Sequence, residues 1–136
     1  MITYQQELTL GAEEFIDVLN RSTLSERRPV ADLERIKNML QHANLIITAR
    51  DNGKLVGVSR ALSDFAFCTY LSDLAVDEAY QKQGIGVELI RQTKLKSPLG
   101  KLILLAAPKV QQYYPRIGMK NFEHCYYIEK AEELGS

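Results

Sequence analysis

Two glycines stand two positions apart in the segment Gln81-Lys82-Gln83-Gly84-Ile85-Gly86-Val87. Downstream, Ile85, Leu89, Ile90 and Thr93 fall on one helical side with charged residues opposite, which predicts a helix over 84–96. The first turn of a helix leaves four backbone N–H groups unpaired and carries partial positive charge, so it favours a bound anion. Gly84 and Gly86 have no side chain to hold that anion off the backbone. The chemistry predicted here is the cradling of a pyrophosphate by main chain. A P-loop would need Gly-Lys-Ser or Gly-Lys-Thr, and a dinucleotide fingerprint would need a third glycine with the first set directly after a strand. Neither pattern is present. Two glycines near a helix start can also serve the turn alone, so the surrounding elements must decide.

The elements needed to position this segment are legible along the chain. Residues 2–8 read as a first strand, and residues 12–21 place Phe15, Ile16, Val18 and Leu19 on one helical face. A second helix is predicted over 30–42, begun by Pro29 and carrying Leu33, Ile36, Met39 and Leu40 at spacings of three and four. Residues 45–50, Asp51-Asn52-Gly53 and residues 54–62 form a hairpin pattern, because Asn-Gly supplies the positive φ that tight turns demand. A third strand over 67–76 runs into the glycine-bearing helix. Residues 102–107 are wholly apolar and predict a strand covered on both faces, ended by Pro108. A short helix from Lys109 toward Arg116 should stop at Gly118, and residues 122–128, rich in aromatic and β-branched types, predict a last strand. The tail from Lys130 is expected to fray. The fold class expected is α/β (α+β), a mixed, mostly antiparallel central sheet flanked by helices.

At 136 residues the chain fits a single domain over 1–136, one able to bury roughly 65 to 70% of its unfolded surface without a metal or disulfide. No repeat or linker divides it. Acidic and basic residues balance at 17 each, so no field of one sign draws the molecule to nucleic acid or an anionic membrane, and neither is expected as a partner. Cys68 and Cys125 form no CxxC pair, and His42 and His124 do not complete a set at zinc spacing, so no metal site is expected. No stretch reaches the roughly 18 apolar residues of a span, and the N-terminus lacks signal-peptide order, which leads to a cytoplasmic expectation with reduced thiols.

The segment Leu74-Ala75-Val76-Asp77, Tyr80, Gln81-x-x-Gly84-x-Gly86 and Leu89 resembles the central signature of the GNAT family of N-acetyltransferases. Downstream, Tyr113-Tyr114-Pro115-Arg116-Ile117-Gly118-Met119 resembles a second family element, with Met119 in place of the common Phe. The likeness covers residues 54–128. One departure is visible: many members carry a polar residue such as Asn after the strand over 102–107, and here Ala106-Ala107-Pro108-Lys109 follows.

The resemblance implies transfer of an acetyl group from acetyl-CoA directly to a primary amine, as a small-molecule or peptide acceptor. It implies that Gln81, Lys82, Gln83, Gly84, Ile85, Gly86 and Val87 hold the pyrophosphate. The strand ending at Leu74, Ala75 and Val76 would splay from its neighbour, pairing with pantetheine and polarising the thioester through the Leu74 N–H. Tyr114 is the implied proton donor to the departing thiolate, and Tyr113 is assigned to the core. Asp73 and Asp64 are candidate bases for the amine, set against the ordinary reading of charged strand residues as a solvated face. His124 and Cys125 read as packing groups, and Lys82 either reaches a CoA phosphate or is solvated. Dimers are common in the family, so a homodimer is open. A non-catalytic acyl-CoA-binding or regulatory module of the same fold is the main rival. An interaction domain without a CoA site is a second, opposed by the paired glycines and Gln81.

Overall fold

The computed structural model of the chain describes residues 1–135. The chain forms two compact units, one from Met1 to Leu105 and one beginning at Ala106.

The first unit contains β1 (Ile2–Gln6), α1 (Ala12–Ser22), α2 (Leu33–His42), β2 (Leu45–Asp51), β3 (Lys54–Ser63), β4 (Cys68–Val76), α3 (Ile85–Lys96) and β5 (Lys101–Leu104). The strands make one sheet in the order β1-β2-β3-β4-β5. All neighbours are antiparallel except β4 and β5, which are parallel and joined through α3. This is the mixed, mostly antiparallel sheet expected from the sequence.

Local chemistry accounts for the joins. The β2–β3 hairpin closes with Asp51 opposite Lys54, and Asn52 and Gly53 both adopt positive φ, 49° and 91°. That is the backbone a two-residue turn needs to match the twist of its strands. Helix α2 begins at Leu33, not at Val30, because the Asp32 carboxylate accepts the Arg35 N–H at 3.1 Å and caps the first turn. Pro29 lies in the preceding turn.

Each face of the sheet carries its own core. Phe15, Val18 and Leu19 of α1 and Ile36 and Leu40 of α2 pack on Ile46, Leu55, Val58 and Ala75. On the other face Ile85 and Leu89 of α3 pack on Leu45, Ile47, Ala49, Val56, Ala61 and Leu71. Full burial of a side chain such as Phe15 contributes about 1.5–3 kcal/mol, so the helical stripes are held mainly by the sheet and not by intrinsic propensity. At Gly57 a Cβ would stand 3.0 Å from a methyl of Leu89 and 3.2 Å from one of Ile85, so the missing side chain lets α3 lie close on β3.

Strand β4 contains a bulge. Arg60 pairs with Asp73 but Ala61 pairs with Leu71, which leaves Ser72 as an extra residue. The alternation of faces therefore shifts by one at Ser72. Leu71 belongs to the α3 side, and Ala75, four residues on, belongs to the α1–α2 side.

Two expectations about strands are corrected. Strand β5 ends at Leu104 and lies at the sheet edge with Lys101 and Ile103 exposed, so it is not a strand covered on both faces. An apolar run alone does not report how many neighbours a strand has. In the second unit, residues 122–128 form no strand among the described residues, and Tyr126 and Tyr127 are 88% and 77% exposed. Aromatic and β-branched content marks a segment that suits a pleated, half-buried surface, but a strand also requires a partner ladder.

The remainder of the second unit holds a 3₁₀ turn at Pro108–Val110, the single-turn α4 (Tyr113–Arg116) and a 3₁₀ turn at Ala131–Glu133. The expected helix toward Arg116 is thus two short pieces, and Gly118 with φ 102° follows it. At the tail the Glu133 carboxylate accepts the N–H groups of Glu129 and Lys130 at 3.0 and 2.8 Å.

Candidate functional site

The last third of β4 has hydrogen-bonding groups that its neighbours do not use. The ladder with β5 runs from Cys68 opposite Lys101 to Leu71 opposite Leu104 and stops there. Beyond the bulge, the Asp77 N–H donates to the Val56 carbonyl at 2.8 Å, which fixes the alternation backward along the strand. Ala75 addresses β3, while Leu74 and Val76 turn their backbone groups away from it. The Val76 carbonyl accepts the Gln81 side-chain amide at 3.1 Å. The Leu74 N–H faces the side that β5 has left.

From this strand end the chain passes into the glycine segment through a tightly tied corner. Asp77 accepts the Ala79 N–H at 2.9 Å and pairs with Arg21, whose guanidinium also donates to the Leu55 carbonyl at 2.9 Å. Burial alone would raise the Asp77 pKa, but the Ala79 N–H and the Arg21 charge outweigh it and hold the carboxyl below its ordinary value. The Tyr80 hydroxyl donates to Asp51 at 2.8 Å, and the Lys54 ammonium stands 5.6 Å from the Tyr80 ring centre.

The loop itself is left-handed at two points, Lys82 with φ 65° and Gly84 with φ 83°. Gly84 is the N-cap of α3 and no side chain caps the helix. The first intrahelical bond is from the Glu88 N–H to the Gly84 carbonyl at 3.1 Å, so the N–H groups of Ile85, Gly86 and Val87 precede it without intrahelical acceptors. Gln81, Lys82, Gln83 and Gly84 are exposed, and a Cβ built on Gly84 meets nothing within 4 Å. The Ile85 side chain is buried in the core, so that residue can offer a ligand only its backbone. These residues fit a phosphate-bearing cofactor held by main chain.

The structure separates the candidate bases. Asp64 precedes β4 and accepts the N–H groups of Phe67, Ala66 and Cys68, which lower its pKa to about 2. Leu74 lies six positions beyond Cys68 along the strand, about 20 Å of extended chain, so Asp64 belongs to the turn and not to this site. Asp73 lies beside Leu74 but is fully buried, with one oxygen on Arg28 and the other on Arg60. Fully buried and paired with two guanidinium groups, it is closed to an amine arriving from solvent. These arginines, and Arg21, escaped the sequence reading. A carboxylate inside a segment read as a strand was the available signal, since a buried charge requires a partner.

In the second unit Tyr114 is half-buried on α4, its ring edge-on to Tyr113 with centres 5.2 Å apart. Burial first, then the neighbouring Tyr113, raises its pKa, so the phenol keeps its proton at neutral pH. Its carbonyl accepts the N–H groups of Met119 and Ile117 at 3.0 and 3.2 Å. His124 stands edge-on to Phe122 at 6.3 Å, and Cys125 is an exposed free thiol. Among the described residues no group of three His, Cys, Asp or Glu is placed to hold a metal ion. No helix among them is long and apolar enough to cross a membrane.

Comparison with known proteins identifies the family and the fold. A histone acetyltransferase, TAP1, of Glycine max is 33% identical over 105 residues, 69% of this chain and 46% of that protein. A GCN5-related N-acetyltransferase 2, chloroplastic, of Arabidopsis thaliana is 37% identical over 70 residues, 49% of this chain and 27% of that protein. The chain spans about half the length or less of these relatives. Among solved structures, a GNAT-family acetyltransferase of Streptococcus pneumoniae has a TM-score of 0.76 at 21% identity, over 96% of this chain and 99% of that one. The aminoglycoside N-acetyltransferase AAC(6')-Iy, solved with CoA, has a TM-score of 0.72 at 15% identity, over 96% and 95% of the two chains. Those two likenesses are of fold. The family model for the acetyltransferase (GNAT) family matches residues 12–96, which takes in both cores, the half-paired strand and the uncapped helix start, and the chain belongs to that family.

Proposed function

We propose that the chain, acting as one domain over 1–136, transfers the acetyl group of acetyl-CoA directly to a primary amine of a small molecule or peptide. The observation that carries this reading is the pairing of an unsatisfied strand end at Leu74 with an uncapped helix start at Gly84 in one unit. Acetyl-CoA supplies an acyl thioester at one end and a pyrophosphate at the other. The N–H groups of Ile85, Gly86 and Val87 hold the pyrophosphate, with the loop Gln81 to Gly84 wrapped around it. The backbone of Leu74 and the Val76 N–H, whose own carbonyl is held by the Gln81 side chain, offer a ladder to an extended amide chain. The Leu74 N–H stabilises negative charge developing on the thioester oxygen, which is worth most in a water-poor site. Tyr114 gives its proton to the departing thiolate.

Asp64 and Asp73 are not assigned as the base, because both carboxylates are committed to other partners. The protein is placed in a reducing compartment, where Cys68 and Cys125 remain free thiols. That compartment is the cytoplasm, with the plastid of the Arabidopsis relative as the alternative.

Release of CoA thiol on addition of amines is the direct test, with a histone peptide and an aminoglycoside in the panel because one relative is named a histone acetyltransferase and one structural neighbour an aminoglycoside N-acetyltransferase. Tyr114→Phe keeps the ring and should lower turnover by about 10²-fold while leaving acetyl-CoA affinity unchanged. Equal single-turnover rates in the two proteins would remove Tyr114 from the mechanism. Tight acetyl-CoA binding with no thiol release across the panel would make the chain an acyl-CoA-binding module instead.

A further inference from the structure

The Leu74 N–H faces the open side only because β4 is bulged. Before the bulge, the Asp64 N–H donates to the Cys68 carbonyl and Leu62 pairs with Tyr70, so even-numbered residues address β3. Continued without interruption, that ladder would set Leu74 opposite Val58 with its N–H spent on β3. The extra residue Ser72 reverses the alternation, pairing Ser59 with Leu74 and releasing its N–H to the other side.

A bulge leaves polar groups that the ladder does not satisfy, and here Arg28 takes the Ser72 carbonyl while Arg60 holds the Ser72 hydroxyl. Arg28, from the segment between α1 and α2, donates to the Ser72 carbonyl at 2.8 Å and to Asp73. Arg60, on β3, donates to the Ser72 hydroxyl at 2.9 Å, to the Met39 carbonyl of α2 at 3.1 Å, and to Asp73. Asp73 is fully buried between them, and the Arg28 and Arg60 side chains are 21% and 7% exposed. Stability alone gives no reason for the arrangement, since a buried ion pair often does no better than apolar residues of similar volume.

We propose that Arg28, Asp73 and Arg60 are positioning residues whose shared task is to hold the Ser72 bulge and so aim the Leu74 N–H at the thioester carbonyl. This rests on the assignment of Leu74 above. Arg28 also ties that aim to the segment before α2, the only part of the triad that does not come from the sheet. A planar guanidinium that bonds a carbonyl and a carboxylate together cannot be replaced by a lysine, which offers a point charge.

The test uses acetyl-CoA labelled with ¹³C at the acetyl carbonyl, bound to the full chain, and follows the carbonyl stretch by isotope-edited infrared spectroscopy beside kcat and acetyl-CoA affinity. In the wild-type protein the stretch should fall in frequency on binding. Arg28→Ala should lose most of that fall and about tenfold or more in kcat, with acetyl-CoA affinity within about threefold, because a displacement near 1 Å can cost on the order of 10²-fold. Arg28→Lys should lie between the two. Added guanidinium should restore Arg28→Ala in both readouts, and an equal concentration of sodium chloride should not. No frequency fall in the wild-type protein would overturn the Leu74 assignment and this role with it. A wild-type fall that Arg28→Ala retains, with unchanged kcat, would overturn the positioning role alone. Should Arg28→Ala fail to fold, Arg28→Lys decides, and wild-type values for both readouts in that variant would overturn the proposal.

Discussion

Helices α2 and α3 both begin at a tight turn and both lay an apolar stripe on the sheet, yet their first turns are finished in opposite ways. At α2 the Asp32 carboxylate accepts the Arg35 N–H, so the helix satisfies itself. At α3 the N-cap is a glycine with φ 83°, no side chain caps the turn, and the space where a Cβ would lie is empty. An N-cap carboxylate is worth about 1 kcal/mol to a helix and also occupies the position a phosphate would take. Helix α1 also starts at an uncapped glycine, Gly11, so what sets α3 apart is the left-handed Gly84 together with its place after the half-paired end of β4. Stability there is left for a ligand to supply.

The largest effect should come from making α3 resemble α2. Gly86→Asp adds a carboxylate at the second position of α3, where a negative charge favours the helix by about 0.3–1 kcal/mol. Acetyl-CoA affinity should nevertheless fall by about 100-fold or more, or about 2.7 kcal/mol, because the carboxylate competes with the pyrophosphate for the same N–H groups. Thermal melting should therefore show an apo protein as stable as wild type that no longer gains stability with ligand. Unchanged affinity in the folded variant would place the cradle elsewhere.

A smaller effect is expected from Gly84→Ala. Nothing stands within 4 Å of the added methyl, so the cost is confined to the backbone, about 1–2 kcal/mol for a left-handed L-residue. Part of that cost should appear as a lower melting temperature and part as a several-fold loss of acetyl-CoA affinity, as the turn relaxes away from φ 83°. Calorimetry on the free and ligand-bound protein separates the two. A loss of stability with affinity untouched would mean that the left-handed turn serves the fold only.

The α3 side of this contrast was legible before the structure, while the Asp32 cap of α2 was not, since Pro29 was read as the start of that helix. The Asn52-Gly53 hairpin, the stripes of α1, α2 and α3, and the strand-turn-helix passage into Gly84 are local signals, carried by residues within a few positions of one another. The uncapped start of α3, on which the proposed pyrophosphate cradle rests, belongs with them, because a helix start offers its N–H groups whatever lies elsewhere. The bulge at Ser72 did not show, since a one-residue change of register depends on what stands across the ladder. With the bulge unseen, Arg28 and Arg60 had no visible task, and Asp73 read as a candidate base or a solvated charge when it is the buried centre of their network. The edge position of β5 and the absence of a strand over 122–128 failed for a related reason, since composition reports what a strand would like to touch and not whether a partner is present.

The smallest effect, Asp32→Ala, tests the other side of the comparison. Removing the carboxylate leaves the Arg35 N–H at the exposed start of α2, where water can take the bond, so the loss should be near the usual figure of about 1 kcal/mol for an N-cap. For a chain of this size that corresponds to roughly 3–5 °C in melting temperature. Affinity for acetyl-CoA, measured at a temperature where the variant is folded, should not change, because α2 packs on the sheet through Ile36 and Leu40 and those contacts survive. Addition of saturating acetyl-CoA should then raise the melting temperatures of wild type and Asp32→Ala by the same increment, as mass action requires when a mutation alters folding and not binding. A larger increment in the wild-type protein would show that the start of α2 is coupled to the cofactor site. The sharp division between a helix start that caps itself and one that waits for a ligand would then give way to a single coupled system.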